Sequence, residues 1–364
     1  MAGVKSKEFF MTKLLISFAS LIIVIAGIKA ASSVLIPITF SIFLGLLGIA
    51  LLKGFAKIKV PKFLAITIVM FVLILSVILF IELLKNSIVD FNDALPMYRE
   101  KYDVASQAIL NYLSQKGVNV PQGKIAELFT FDKSMNFLVG SLKSVVGAVS
   151  NVVLVLVLVL FILFEAASFS DKLKYAFKDS AKLGHFSRTS DEIQKYILIK
   201  SVTSFLTGLF VYISVALCGI DFPVLWGIIA FLFNFIPIIG SIVAAIPAIL
   251  LALIQFGFVD AVIVSFIYIV INWTISYFIE PLMMGKNLGL SPLIIILSVF
   301  FWGWVWGSSG MLLSIPLMMV IKILFENSKD FYWVGVLMGD TASVKELCKE
   351  KEKEKDREKD KEKK

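Results

Sequence analysis

The chain has 364 residues, 59% of them hydrophobic and 17% charged, with a mean hydropathy of +0.91. Soluble domains are nearer half apolar and a quarter charged, so a water-soluble enzyme or nucleic-acid binder is excluded and an all-α polytopic membrane protein is expected. The net charge of +8 does not argue for a nucleic-acid partner either, because the last twenty residues, Lys345 to Lys364, interleave ten Lys or Arg with eight Asp or Glu, as a solvated extension does.

Apolar runs long enough for a bilayer recur along the chain. Lys5, Lys7 and Lys13 precede a first segment at about 14–30, and a second follows at about 34–52. The loop "KGFAKIKVPK" then supplies Lys53, Lys57, Lys59 and Lys62 before a third segment at about 63–84. A fourth, containing "NVVLVLVLVLFILF", lies within 137–165, and a fifth covers about 197–218. Basic residues collect in cytoplasmic loops. The basic N-terminus, the 53–62 loop and the 166–200 stretch (Lys172, Lys174, Lys178, Lys182, Arg188, Lys195, Lys200) therefore face inward, and 85–136 faces outward. In that outer segment Tyr98, Tyr102, Ala105, Ile109, Tyr112 and Leu113 recur at helical spacing, with Pro96 early and Gly117 at the expected stop; this reads as an amphipathic helix on the membrane or against the bundle.

Beyond residue 218 the pattern changes. Pro223–Leu253 and Pro292–Lys322 are each about thirty residues long and rich in Gly, Pro and Ser. An offset of 69 superposes Pro223 on Pro292, Phe231 on Phe300 and Ile246–Pro247 on Ile315–Pro316. Their centres are polar or glycine-rich: Asn234, Pro237, Gly240 and Ser241 in one, Gly303, Gly307, Ser308, Ser309 and Gly310 in the other. Proline disrupts a helix, and unpaired backbone groups are excluded from lipid, so both breaks must be enclosed by protein or line a watery cavity. Paired broken segments mark the binding site of transporters, where freed helix ends offer N–H or C=O groups to a solute or ion.

Two topologies fit. If both segments are re-entrant hairpins separated by a span at about 259–279, the chain is an inverted repeat of span plus hairpin. If both cross fully, it has eight spans and a parallel repeat. The hairpin reading is the one taken here. The chain then has about six to eight membrane segments, with two broken or re-entrant hairpin segments. Its parts are a three-helix membrane region (1–84), an extracytoplasmic amphipathic segment (85–136), a long fourth membrane helix (137–165), a cytoplasmic basic loop (166–200), a core with the paired broken segments (201–326) and a cytoplasmic charged tail (327–364).

Among charged groups near the membrane, Glu280 stands out. It follows "NWTISYFI", precedes Pro281 and separates the two broken segments, with Asn272 two turns upstream and Lys286 near enough to pair with it. A proton or cation site and a structural ion pair are both open readings. Asp260 opens the same span as a helix-start carboxylate, while Glu82, Glu165 and Glu326 sit at segment ends. Cys218 and Cys348 are expected on opposite membrane faces, and the only histidine, His185, lies in a polar stretch. No metal, P-loop, GxSxG or HExxH pattern is present, so no enzyme activity, cofactor or metal is expected.

The stretches "FNFIPIIGSIVAAIPA", "IEPLMMGKNLGLSPL" and "FWGWVWGSSGMLLSIPL" resemble the autoinducer-2 exporter family, also called PerM-type permeases. The resemblance is specific over about 196–326. It departs at Ile238, where many members carry an aromatic, and at Ser241, where many carry a proline. The resemblance implies a bacterial multi-pass permease of the cytoplasmic (inner) membrane that assembles as a homo-oligomer; the basic loops and the parity of the spans place both termini in the cytoplasm. It also implies export of a small solute such as autoinducer-2, coupled to Na+ or H+, or alternatively Na+/H+ antiport; a non-transporting scaffold or channel-like oligomer remains the reading from another class. Asn234, Pro237, Gly240, Pro247, Glu280 and Pro281 match family motif positions. So do Gly285, Gly289, Pro292, Gly303, Gly307, Gly310 and Pro316. The expected solute or ion pathway adds Ser241, Asn272, Ser308 and Ser309 to these.

Overall fold

The computed structural model describes residues 2–115, 152–176, 180–237, 239–284, 289–326, 328 and 330–340. In chain order the helices are α1 (Ala2–Ala30), α2 (Ser32–Lys57), α3 (Lys62–Gln115), α4 (Val152–Ala176), α5 (Ser180–Leu217), α6 (Pro223–Phe233), α7 (Ile239–Phe256) and α8 (Phe258–Thr274). A π-helical turn, Ile275–Ile279, leads into α9 (Glu280–Met284), followed by α10 (Pro292–Glu326) and α11 (Tyr332–Met338). Among the described residues six helices are long and apolar enough to cross a membrane: Ser32–Lys57, Lys62–Lys101, Asp191–Leu217, Ile239–Phe256, Phe258–Met284 and Pro292–Glu326. The outward faces of these helices are apolar, with Phe63, Phe71, Phe205 and Phe266 all exposed. In lipid, exposed apolar surface costs nothing, so the helices are held by close packing instead. In α2 the small residues Ser41, Gly45 and Gly48 form a buried stripe. A Cβ built on Gly45 or Gly48 would lie 2.7 Å from Ile162 or 2.8 Å from Leu163 of α4. Ser41 Oγ donates to the Val155 carbonyl across that seam at 3.3 Å.

Both proline-and-glycine segments fold back on themselves. The first is α6 and α7 joined by a turn at Asn234–Pro237, with Ala230, Ala244, Ala248 and Leu251 buried in one core cluster. The second is α10, which leaves helical geometry at Gly307 (φ 63°, ψ −145°). Residues sixteen apart in a straight helix would stand about 24 Å apart, yet Ser298 Oγ donates to the Ser314 carbonyl at 2.8 Å. Gly303 faces Met311 across the fold, and a Cβ on Gly310 would overlap the Trp302 carbonyl. A left-handed residue that only glycine adopts cheaply, flanked by glycines where the arms touch, makes the hairpin.

The hairpins open at opposite ends of α5. Asp221 and Gln255, at the two ends of the first, meet at Tyr98 of α3. Tyr98 Oη donates to Asp221, and Gln255 Nε2 donates to Tyr98 Oη at 2.9 Å and also to Asp221. At the other end of α5, Lys195 Nζ donates to the Met284 carbonyl, and Ile193 and Ile197 pack with Leu290 and Met338 at the open end of the second hairpin. The Ser291 amide closes that end by donating to the Met338 carbonyl at 2.9 Å. The two hairpins are therefore inverted relative to each other, each following a long helix: Asp191–Leu217 for the first and Phe258–Met284 for the second.

Several sequence boundaries shift. α3 runs unbroken through Pro96 to Gln115, so the amphipathic stripe continues the third span rather than forming a separate helix, and Tyr98 is a packing residue, 1% exposed. The stretch assigned to a basic loop is largely helical, and Lys200 is a buried residue of α5. Tyr332–Met338, assigned to the charged tail, is a short helix whose Gly335 abuts Glu326. Gly117, Lys286, Cys348, residues 137–151 and the Lys/Glu tail lie outside the described residues.

The two ends of the 258–284 helix carry exposed side chains, Phe258 at 74% and Leu282 at 82%. With Cys218 and Cys348 replaced, a cysteine at Phe258 is expected to react with an impermeant maleimide in intact cells and one at Leu282 to be protected. Labelling in the reverse pattern means that the first hairpin opens inward.

Candidate functional site

The turn between α6 and α7 closes its own backbone. The amides of Asn234, Phe235, Ile236, Ile239 and Gly240 donate to the carbonyls of Ala230, Leu232, Phe233, Pro237 and Ile236 at 2.6–3.3 Å. Pro237 has no amide to satisfy. A Cβ on Gly240 would overlap the Phe233 carbonyl, so glycine lets the second arm start against the end of the first. The sequence reading expected freed helix ends to offer their amides to a solute. The structure shows those five amides already paired within the turn.

Those side chains face a cleft of about 590 Å³ between the first hairpin and the 258–284 helix. Asn234, Pro237 and Ser241 line it from the hairpin, Asn272 and Glu280 from the helix, and Lys200 from α5. Asn234, 6% exposed, donates from Nδ2 to Ser204 Oγ at 3.0 Å, which fixes the tip against α5. Asn272 Nδ2 donates to the Tyr268 carbonyl one turn back at 2.8 Å. Trp273 and Tyr277, more than half exposed, stand at the open side.

The charge in the cleft is an ion pair. Lys200 Nζ lies 3.1 and 3.3 Å from the two Glu280 oxygens, and the side chains are only 8% and 15% exposed. The π turn places the carboxylate. In a regular helix two residues eight apart point about 80° from each other; the extra residue held in a π turn brings the offset to roughly −20°. Glu280 donates its amide to the Ile275 carbonyl, closing that wide turn, so it shares a face with Asn272 and meets Lys200. From sequence Lys286 is near enough to pair with Glu280 but lies outside the described residues; among those described, the partner is Lys200, eighty positions earlier. Lys200 carries no signal of burial in the sequence, where it stands as one of seven basic residues of the inward-facing 166–200 stretch.

The second hairpin's residues are not in this cleft. Its tip packs on α1 and α2: Trp306 Nε1 donates to the Ile28 carbonyl at 3.2 Å, and the Lys29 ammonium lies 4.3 Å from the Trp304 ring centre. Gly303 and Gly310 serve the close approach of the arms, Gly307 makes the turn, and Pro316 is buried in the second arm. Ser308 and Ser309, expected at the pathway, sit beside that turn and away from the cleft. Pro247 is a buried residue inside α7. Tyr268, Ser265, Ser276 and Lys200 line the cleft without having been singled out.

Residues 18–330 match the model of the AI-2E family transporter family. The AI-2 transport protein TqsA of Escherichia coli is 31% identical over 329 residues, covering 90% of this chain and 96% of its own length. A putative transport protein of Haemophilus influenzae is 37% identical over 339 residues, 91% of this chain and 97% of its own length. One from Borreliella burgdorferi is 32% identical over 340 residues, 91% and 92% respectively.

Removing one partner of a buried ion pair costs about 3–5 kcal/mol because the other charge is stranded. The residual exposure here places Lys200→Met near the lower end of that range. In a detergent melting series, Lys200→Met and Glu280→Gln are each expected to lower Tm, and the double variant to recover most of the loss. Additive losses in the double variant would mean that the two charges are not coupled.

Proposed function

This chain belongs to the AI-2E transporter family, and from that premise we propose that it exports a small, uncharged, hydroxyl-bearing solute of the autoinducer-2 kind through the cleft at the first hairpin, coupled to H+ or Na+ at Glu280. The observation that carries the reading is the meeting of a hairpin tip and an intramembrane ion pair in one cleft. The cleft's volume suits a ring-sized solute, and its paired charges suit one without net charge. Asn234, Asn272 and Ser241 supply polar contacts, and Trp273 and Tyr277 apolar surface. The relative from Escherichia coli named for AI-2 transport supports the choice of solute.

Coupling follows from competition for one carboxylate. With Lys200 on Glu280 the pair is neutral overall and tolerable at depth. A proton or Na+ arriving at Glu280 displaces the ammonium, which must then find water or another acceptor. The tip, held through Asn234 to Ser204 four residues from Lys200, is released or re-seated with it. Because the two hairpins are inverted, this movement exposes the cleft to one membrane face and then the other, as alternating access requires. With the N-terminus inside, the first hairpin opens outward and the second inward, in the inner membrane.

Pure Na+/H+ antiport through the same pair is the second reading, favoured by the burial of Lys200 and Glu280 together. Proteoliposomes loaded with autoinducer-2, with and without a Na+ or pH gradient, separate the two. Glu280→Gln is expected to abolish the gradient dependence, and Asn234→Ala to lower flux about tenfold, as the loss of roughly 1.4 kcal/mol of recognition does. Gradient-driven Na+ flux with no movement of autoinducer-2 selects the antiporter. No flux of either by well-folded parent protein leaves a scaffold.

A further inference from the structure

Four polar side chains of the cleft are tied to other groups of the protein. Asn234 is bonded to Ser204, Asn272 to the Tyr268 carbonyl, Ser265 Oγ to the Ala261 carbonyl at 2.7 Å, and Lys200 to Glu280. Among the buried side chains described around the cleft, Tyr268 differs. It lines the cleft, it is 2% exposed, and its hydroxyl is buried without a hydrogen-bond partner. Buried hydroxyls are paired in the great majority of cases, because desolvating one without compensation is unfavourable. A Phe would fill the same space without that penalty, so an orphan hydroxyl at this position stands against the stability of the protein.

We propose that the Tyr268 hydroxyl is the hydrogen-bonding contact that the cleft reserves for its solute. The assignment rests on the transport reading above and adds a residue outside the matched motif positions. A phenol both donates and accepts, so it takes a hydroxyl or a carbonyl oxygen of the solute, and with the neighbouring charges paired it does so without favouring an anion or a cation. Its place in α8, one turn before Asn272 and three turns before Glu280, puts solute contact and ion site on one helix face. A solute bound at Tyr268 therefore reports directly to the helix that carries the coupling carboxylate. Ser265, one turn earlier on the same face, extends the polar wall toward the open end of the first hairpin.

Tyr268→Phe removes one oxygen and keeps the packing. In proteoliposomes with autoinducer-2 as the probe, the variant is expected to raise the half-saturation concentration about three- to tenfold, the worth of one neutral hydrogen bond, with the maximal rate within about twofold of the parent. In detergent its Tm is expected to equal or exceed the parent's, since an unpaired buried hydroxyl has been removed. Half-saturation at the parent value overturns the proposal, and so does a Tm lowered by several degrees, which would reveal a protein partner for the hydroxyl. If the parent moves no autoinducer-2, the solute reading fails on the parent alone. The melting comparison then decides the hydroxyl's role: a lowered Tm refutes a reserved contact, and an equal or raised one supports it.

Discussion

A broken helix can sit inside a membrane only if its backbone polar groups are satisfied away from lipid, and the rest of this structure is arranged around two such breaks. At the first, a tight turn pairs the amides of Asn234, Phe235, Ile236, Ile239 and Gly240 with nearby carbonyls, and proline removes one donor from the problem. At the second, Gly307 reverses the chain in a conformation that a side chain would strain, and Ser298 ties the arms together. At the first break those five amides are therefore paired. Those five paired amides differ from the freed helix ends that many transporters use.

Once each hairpin closes itself, its ends must be anchored, and the anchors set the inversion. Tyr98 gathers both ends of the first hairpin at one end of α5, while Lys195, Leu290 and Met338 gather the second at the other end. Tips pointing in opposite senses follow. The two tips are unequal: one is polar and borders a cleft, the other carries tryptophans held on α1 by Ile28 and Lys29. The two halves of the sequence repeat thus meet different surroundings, and the five glycines and serines of the second tip, Gly303, Gly307, Ser308, Ser309 and Gly310, are not among the residues lining the cleft.

The ion pair depends on a third local irregularity. Without the π turn Glu280 would lie off the face of Asn272, and its carboxylate would miss Lys200. The turn stores an extra residue where a helix that only packed would have none. It ties position, charge and the hairpin tip into one unit, since Lys200 and Ser204 are one turn apart on α5 and hold Glu280 and Asn234 respectively.

Sequence alone determined the membrane character, the helical class, the two breaks and the family, because hydropathy and the positions of proline and glycine act locally and leave a direct imprint on the chain. It also pointed to Asn234, Ser241, Asn272 and Glu280, which the cleft does bring together. Only the tertiary structure decided that Lys200, far away in the chain, pairs with Glu280, that Tyr98 clasps a hairpin, and that Tyr268 keeps an unspent hydroxyl. Those facts depend on which helices lie side by side and on a one-residue insertion in helical phase. Both are set by close packing between segments far apart in the chain, and a pattern read along a single helix carries no record of its neighbours.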